Sequence, residues 1–266
     1  MEKKFPRLLT LFSFLILFVV GAQAQDKTTV KQQAKTDAPG GKIVTDAPKP
    51  ATDKIVITAA TSPTELARAA FLAQGGEKAR NLKSMVLTGS VELFAPNSLQ
   101  SLPGKFVIVT AGERSRTELQ SAVFNYRQIS DGNKTYTSVA QMEMPPPNKF
   151  GISVLMKYDQ PGYTVSARPD DKKLRAFRIT DPDGHTTDYF VDPATGRVMS
   201  YVIPYNGLTF GVEHKTFKEI DGVLVPYTFT QRLEMRQGAA FADFKVKDVK
   251  LNQELADDVF EIPEQQ

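Results

Sequence analysis

Histidine is the first side chain to consider for chemistry, because imidazole is the commonest general base near neutral pH. The chain of 266 residues holds two, His185 and His214. His185 follows Gly184 in a predicted turn, whereas His214 lies on a mostly apolar strand face. No Gly-x-Ser-x-Gly elbow and no glycine-rich phosphate loop accompanies them. A Ser-His-Asp triad stays formally open but unsupported, so we predict no catalytic residues and no enzyme, with His214 in the core or at a groove edge.

The densest group of carboxylates lies in the segment DPDGHTTDYFVD at 181–192. A calcium loop of the EF-hand type needs glycine at its sixth position and glutamate at its twelfth. Here the glycine comes before the sixth position, and the twelfth position is not a glutamate. Asp181 and Asp183 are better explained as turn residues, and Asp192 as the start of the next turn. The sequence therefore predicts no metal site and no cofactor.

Composition excludes several other classes of function. The chain contains no Cys, which excludes disulfides, thiol nucleophiles, cysteine-based zinc sites and iron–sulfur clusters. It also excludes the acylated cysteine that anchors a bacterial lipoprotein. A net charge of +3 is too small for the basic stripe expected of a nucleic-acid-binding protein.

The first residues have the pattern of an export signal. A basic start is followed by an apolar run at 8–22 and by the small-x-small site Ala22-Gln23-Ala24. The run is shorter than the ~20 residues that span a bilayer, although an uncleaved anchor stays the alternative. We predict a signal peptide at 1–24 and a periplasmic or secreted protein after cleavage near Ala24. The missing cysteines favour a bacterial periplasm.

Residues 25–61 form a proline-, glycine- and lysine-containing stretch without aromatic residues. Such a segment buries too little apolar surface to offset the entropy of ordering. We predict a disordered linker, with a tether or cell-wall spacer as the alternative. The folded domain is then predicted at 62–266.

One helix and a long series of strands follow the linker. Ser62, Pro63 and Glu65 form a capping box with proline at the first helical position, and Gly75-Gly76 ends the helix. Beyond Lys83, alternating segments are separated by turn residues, which predicts antiparallel hairpins. The strands are predicted at 83–93, 104–110, 114–129, 172–180, 186–191, 197–203, 208–219, 223–236 and 240–251.

The later strands have one strongly apolar face, interrupted at Gln231. Long antiparallel strands tend to curl, and one helix cannot cover them all. The loop at 140–157, with three prolines beside Met142 and Met144, is predicted as a lid over the groove or as a surface crossover. We therefore predict a mainly β (α+β) fold, a long-stranded antiparallel half-open barrel with a covering N-terminal helix. The predicted apolar groove is lined by Met85, Leu87, Val91, Leu208, Phe210, Val212, Val225, Tyr227 and Phe229.

Short motifs along the domain carry a resemblance. They are Gly75-Gly76 after the helix, LKS at 82–84, YFVDPATG at 189–196, FKEIDGVLVP at 217–226 and FEIP at 260–263. Together they resemble the outer-membrane lipoprotein-sorting (LolA/LolB-like) superfamily of bacterial periplasmic proteins, over roughly 62–264. The resemblance implies an incomplete β-barrel whose concave apolar face is covered by helices. This chain departs from that pattern, because it offers one good helix and a proline-rich loop.

The resemblance also implies a function. Members of the superfamily hold acyl chains of lipoproteins in the cavity, and the missing cysteine argues against the membrane-anchored acceptor type. We predict a monomeric, non-enzymatic periplasmic carrier or binding protein for an acyl chain, a lipoprotein or another apolar ligand. Its partners would be that ligand or a lipidated protein, and a membrane-bound donor or acceptor. The alternative is an envelope structural or interaction module with a filled barrel and no ligand.

Overall fold

The computed structural model describes residues 56–139, 142–236 and 238–263. The predicted signal peptide at 1–24 and most of the predicted linker at 25–61 lie outside the described residues. No helix within these ranges is long and apolar enough to cross a membrane.

The first element is the predicted helix, α1, at Pro63–Ala73. Both arms of the capping box form, since Glu65 N donates to Ser62 Oγ at 3.3 Å and Ser62 N donates to Glu65 Oε2 at 2.8 Å. The helix ends at Gln74 because Gly75 and Gly76 take positive φ angles of 115° and 56°. Two further helices are single turns, α2 at Glu77–Arg80 and α3 at Ile152–Leu155.

The remainder of the chain is dominated by strands, as the alternation predicts. They are β1 Met85–Phe94, β2 Ser101–Ala111, β3 Arg114–Ser121, β4 Asn125–Ser130, β5 Thr135–Thr137, β6 Thr164–Ala167, β7 Arg175–Thr180, β8 Thr186–Val191, β9 Val198–Tyr205, β10 Leu208–Ile220, β11 Val223–Met235 and β12 Gly238–Leu251. The segment predicted as one strand at 114–129 is two, because Ser121 Oγ accepts from Phe124 N at 2.9 Å and fixes a turn.

The strands form one antiparallel sheet in the order β5-β4-β3-β2-β1-β12-β11-β10-β9-β8-β7-β6. Two meanders are joined where the first strand pairs with the last, for example at Leu87 opposite Val249. The described sheet does not close, and β5 and β6 are its edges. The predicted mainly β, half-open barrel is confirmed.

The chain leaves β5 at one edge of the sheet and enters β6 at the other edge. Its proline-rich part, 142–150, is called the strap below, and α3 follows it. Met142 and Met144 of the strap pack against the buried apolar cluster that joins β1–β4 to β10–β12. The described part of the predicted lid therefore covers the apolar face of the sheet.

The buried residues on the covered face form two clusters. The first, called the filled half below, joins α1 and α3 to β7–β9 and includes Phe71, Leu155, Phe177 and Tyr189. The second, called the cavity half below, joins β1–β4 to β10–β12. A smaller cluster packs Phe260 of the 3-10 helix Asp257–Phe260 against Val109 and Ile129.

Candidate functional site

A cavity of about 390 Å³ lies between the cavity half of the sheet and its cover. Ile108 of β2 and Val212 of β10 both line it, although four strand steps separate them in the sheet. The sheet therefore curves enough to bring its two arms around one space. Ligand-binding pockets commonly have volumes of about 300–1,000 Å³, so the cavity is of a size that holds a small ligand.

The deep wall of the cavity is apolar because inward-facing positions alternate along each strand. Phe229 stacks on Phe244 with ring centroids 4.6 Å apart. The apolar lining from the sheet comprises Met85, Leu87, Ile108, Ile203, Phe210, Val212, Val223, Leu224, Val225, Pro226, Phe229 and Phe244.

The structure brings six of the nine predicted groove residues to this lining. They are Met85, Leu87, Phe210, Val212, Val225 and Phe229. Their role as ligand contacts stays a prediction.

The other three predicted groove residues lie elsewhere. Val91 is buried in the packed core of the cavity half, and Leu208 is half-buried at the start of β10. Tyr227, beside a register shift between β10 and β11, packs against the cluster of the cavity half but does not line the cavity. Its ring packs beside Lys218, whose Nζ lies 3.7 Å from the ring centroid.

The strap is held over the cavity by Gln128 of β4, which is 3% exposed. Its Nε2 donates to Met144 O at 2.7 Å, and Met144 N donates to its Oε1 at 2.8 Å. Tyr126 also donates to Met142 O at 3.0 Å, and burial raises the pKa of Tyr126 to about 12. The side-chain amide of Gln128 thus provides hydrogen-bond partners for both the N–H and the carbonyl of Met144, which belongs to no strand.

A second attachment lies at Asn148, which is 1% exposed. Ser115 donates to Asn148 Oδ1 at 2.7 Å, and Asn148 Nδ2 donates to the carbonyl of Glu113. Tyr205 donates to the Glu143 carboxylate from the opposite arm of the sheet. The strap is therefore tied to both arms.

Polar residues with access to solvent mark the mouth of the cavity. Lys157 Nζ lies 2.5 Å from Glu113 Oε1 and links the end of α3 to the β2–β3 turn. Arg80 donates to Met156 O at 2.8 Å and pairs with Asp159 at 2.6 Å. The charges at the mouth are compensated by their own neighbours.

His214 lines the cavity and is buried. Its Nδ1 lies 2.9 Å from Val198 O, and a carbonyl only accepts, so Nδ1 carries the proton. Burial lowers the pKa of His214, which keeps the ring neutral. Burial likewise raises the pKa of Tyr201, whose ring centroid lies 5.7 Å from that of His214.

Sequence reasoning missed the buried polar residues of the site. Gln74, Gln128 and Asn148 all line the cavity. Gln128 faces inward between Tyr126 and Ser130, but a polar residue in an alternating strand is ordinarily assigned to the solvent face. Gln74 and Asn148 lie outside strands, so no periodic pattern marks them.

The carboxylate group at 181–185 lies in an exposed turn. Asp181, Asp183 and His185 offer ligand atoms within 4.8 Å of one another. Asp181 Oδ1 already accepts from Asp183 N at 3.0 Å and His185 N at 2.8 Å, and Oδ2 lies 3.0 Å from His185 Nδ1. The turn accounts for this arrangement, as the spacing predicts.

Comparison with known proteins identifies the fold. No protein-family model matches the chain, and no curated protein matches it. Among solved structures, a LolA superfamily protein from Nitrosomonas europaea is similar at a TM-score of 0.51 and 10% identity, covering 76% of this chain and 99% of that chain. The chain therefore has a LolA-like fold, and the resemblance seen in its sequence is confirmed at that level.

Two further solved structures are more distant in shape. A putative outer membrane lipoprotein-sorting protein domain from Vibrio parahaemolyticus has a TM-score of 0.45 at 11% identity, covering 73% of this chain and 97% of that chain. A DUF1329 family protein from Desulfovibrio piger has a TM-score of 0.47 at 10% identity, covering 76% of this chain and 98% of that chain.

Proposed function

We propose that the chain is an exported, non-enzymatic carrier or binding protein that holds one acyl chain or a similar apolar ligand. The ligand would be a lipid or the acyl group of a lipidated protein, exchanged with a membrane-bound donor or acceptor. The observation that carries the proposal is the cavity of about 390 Å³ with its apolar deep wall.

The size of the cavity supports a binding role because protein interiors are normally close-packed. Water can enter through the mouth, but the mostly apolar wall offers water few hydrogen-bond partners. An apolar ligand would therefore occupy the cavity more favourably than water.

The apolar wall also supplies enough free energy for useful affinity. Each buried methylene contributes about 0.8 kcal/mol, so a chain of about fifteen contributes about 12 kcal/mol. Association costs about 4 kcal/mol or more, which leaves about 8 kcal/mol. That value corresponds to a dissociation constant near the micromolar range.

Export is supported by the predicted signal peptide at 1–24 and by the absence of cysteine, together with the LolA-like fold. The alternative is an envelope interaction module whose barrel is filled. The packed filled half is compatible with it, whereas the cavity beside that half favours the carrier.

The experiment is to export the full chain in a bacterial host and purify it without detergent. Native mass spectrometry and organic extraction then measure bound lipid. We expect about one equivalent on the wild type, and less in Val212→Phe, which places a larger ring in the cavity. Glu213→Phe places the same ring on the opposite face and is the control. A clean ligand-free mass, with no binding of the neutral probe N-phenyl-1-naphthylamine, would sink the proposal.

A further inference from the structure

Four neighbouring hairpins lie at one end of the sheet, called the hairpin end below. They join β3 to β4, β1 to β2, β11 to β12 and β9 to β10, and these eight strands are adjacent in the sheet. The strands pair antiparallel, so alternate turns fall at the same end. Glu113, at the mouth of the cavity, follows the other end of β2. The hairpin end comprises the described residues of 93–104, 121–126, 205–209 and 235–242.

Large apolar side chains project into solvent at the hairpin end. Six such side chains are exposed among the described residues, and four of them lie here, namely Leu99, Leu102, Val123 and Phe241. Leu99 in the β1–β2 turn is 101% exposed, and Val123 in the β3–β4 turn is 73% exposed. Leu102 and Phe241 lie on the two strands that flank β1. The four side chains form a group that is separate from the lining of the cavity.

The hairpin end is also nearly free of charge. Its four segments contain one charged residue, Arg236, although 24% of the chain is charged. The next turn at the same end of the sheet, 181–185, again carries carboxylates. At the opposite end every turn contains at least one charged residue, at 112–113, 131–134, 168–174, 192–197 and 221–222. Turns that face water are normally polar, so the composition of these four hairpins indicates a different surrounding.

The surface of a lipid bilayer fits the hairpin end better than a protein partner does. A stable protein interface buries about 800 Å² of each partner in one patch, whereas these side chains stand on separate turns. Lipids rearrange around each apolar side chain that enters them, so no matching surface is needed. The hairpin end has no carboxylate that anionic headgroups would repel, and Arg236 is attracted to them.

We infer that the protein docks on the surface of a phospholipid bilayer through the hairpin end. Leu99 and Val123 enter the boundary between headgroups and acyl chains, and Arg236 contacts the phosphates. Docking leaves the mouth of the cavity at Glu113 open to solvent, because that residue follows the far end of β2. The inference goes beyond the proposed carrier function and does not depend on a ligand in the cavity.

The first test measures sedimentation of the full exported chain with vesicles of phosphatidylethanolamine and phosphatidylglycerol. Release from the periplasm by osmotic shock ensures that no membrane-anchored form is carried over. Leu99→Asp is expected to weaken binding by about tenfold or more, because the burial of a leucine side chain is lost. Val123→Asp should also weaken binding, although by less, since valine buries less apolar surface.

Val56 offers a matched control for Val123. It is 78% exposed, against 73% for Val123, and it precedes α1, outside the hairpin end. Val56→Asp should therefore leave vesicle binding unchanged. All three replaced side chains are exposed, so the variants should melt within a few degrees of the wild type. They should also bind N-phenyl-1-naphthylamine as the wild type does, because none of the three positions lines the cavity.

The second test uses the absence of tryptophan from the chain. Leu99→Trp places a single fluorescent reporter in the β1–β2 turn. We expect its emission to shift to the blue when vesicles are added, and lipids brominated on their acyl chains to quench it. The same reporter in Val56→Trp should stay in water and show neither change.

Several results would overturn the inference. They are a wild type that does not bind the vesicles, equal weakening by Val56→Asp and Val123→Asp, and a reporter at position 99 that the brominated lipids do not quench. Binding that raised salt abolishes would indicate a charged surface instead of the apolar turns. A wild-type dimer that Leu99→Asp dissociates would assign the hairpin end to a second copy of the chain. Binding of N-phenyl-1-naphthylamine reports on the cavity alone, so failure of docking and failure of the carrier function are distinguished.

Discussion

The filled half and the cavity half belong to one sheet but are covered in different ways. In the filled half, Leu66, Phe71 and Leu155 from two helices pack against Phe177 and Tyr189, whose rings stack 4.9 Å apart. In the cavity half, the cover is largely the strap, which packs on the sheet through Met142 and Met144 and is tied to it by the amides of Gln128 and Asn148. A helix presents a dense row of side chains, whereas a proline-rich strap held by hydrogen bonds leaves space beneath it.

The difference predicts that the two halves respond unequally to the same truncation. Leu155→Ala, in the filled half, is expected to lower the free energy of unfolding by about 2–5 kcal/mol. Leu87→Ala, on the cavity wall, should cost about 2 kcal/mol or less, because its cavity side has few contacts to lose. Urea denaturation of both variants measures this, and equal losses would mean that the two halves are packed alike.

Removing the attachment of the strap should have the next largest effect. Gln128→Leu leaves both backbone groups of Met144 without their partners, and we expect a loss of about 1–3 kcal/mol. The measurement is again urea denaturation, with hydrogen exchange at Met144 as a local readout. Gln120→Leu on the neighbouring strand is exposed and should stay within about 0.5 kcal/mol of the wild type. A strap that stays protected in Gln128→Leu would show that packing alone holds it.

His214 lies at the boundary between the halves. We expect it to make a smaller contribution to the stability of the fold, and one that depends on pH. Its pKa is lowered from 6.5 by burial, so the unfolded chain binds the proton more readily than the folded protein. The neutral ring of His214 therefore contributes its full stability above pH 6.5. As the pH falls below 6.5, the free energy of unfolding decreases by at most about 1.4 kcal/mol per pH unit. Tyr201, which faces the ring, stays neutral throughout because its pKa is raised.

Melting temperatures between pH 7.5 and 5 measure this dependence. His214→Phe should flatten it, whereas His185→Gln, in an exposed turn, should follow the wild type. A wild-type slope that survives His214→Phe would place the titrating group elsewhere.

Local sequence predicts the elements well because their causes are local. The capping box at Ser62 and Glu65 and the glycines after Gln74 lie within a few residues of the helix ends that they define. Strand alternation likewise depends on neighbours two residues apart, which is why six of nine groove residues face the cavity. Tyr227 packs on the same buried cluster but does not line the cavity, and the register shift beside it is set by pairing with β10.

The polar residues that line the cavity could not be predicted in the same way. Gln74, Gln128 and Asn148 come from a helix end, a strand and a loop, which are far apart in the chain. The sequence around a glutamine does not indicate whether its amide faces water, the strap or a cavity. That depends on which segment crosses above it.

The sequence by itself determined the helix, the strands, their apolar faces and the absence of cysteine chemistry. Tertiary structure alone decided that β1 pairs with β12 and that the strap lies over the cavity half of the sheet. The physical reason is the range of the interactions. Capping and alternation are satisfied within a few residues, whereas the volume left beneath a cover depends on packing between segments many residues apart.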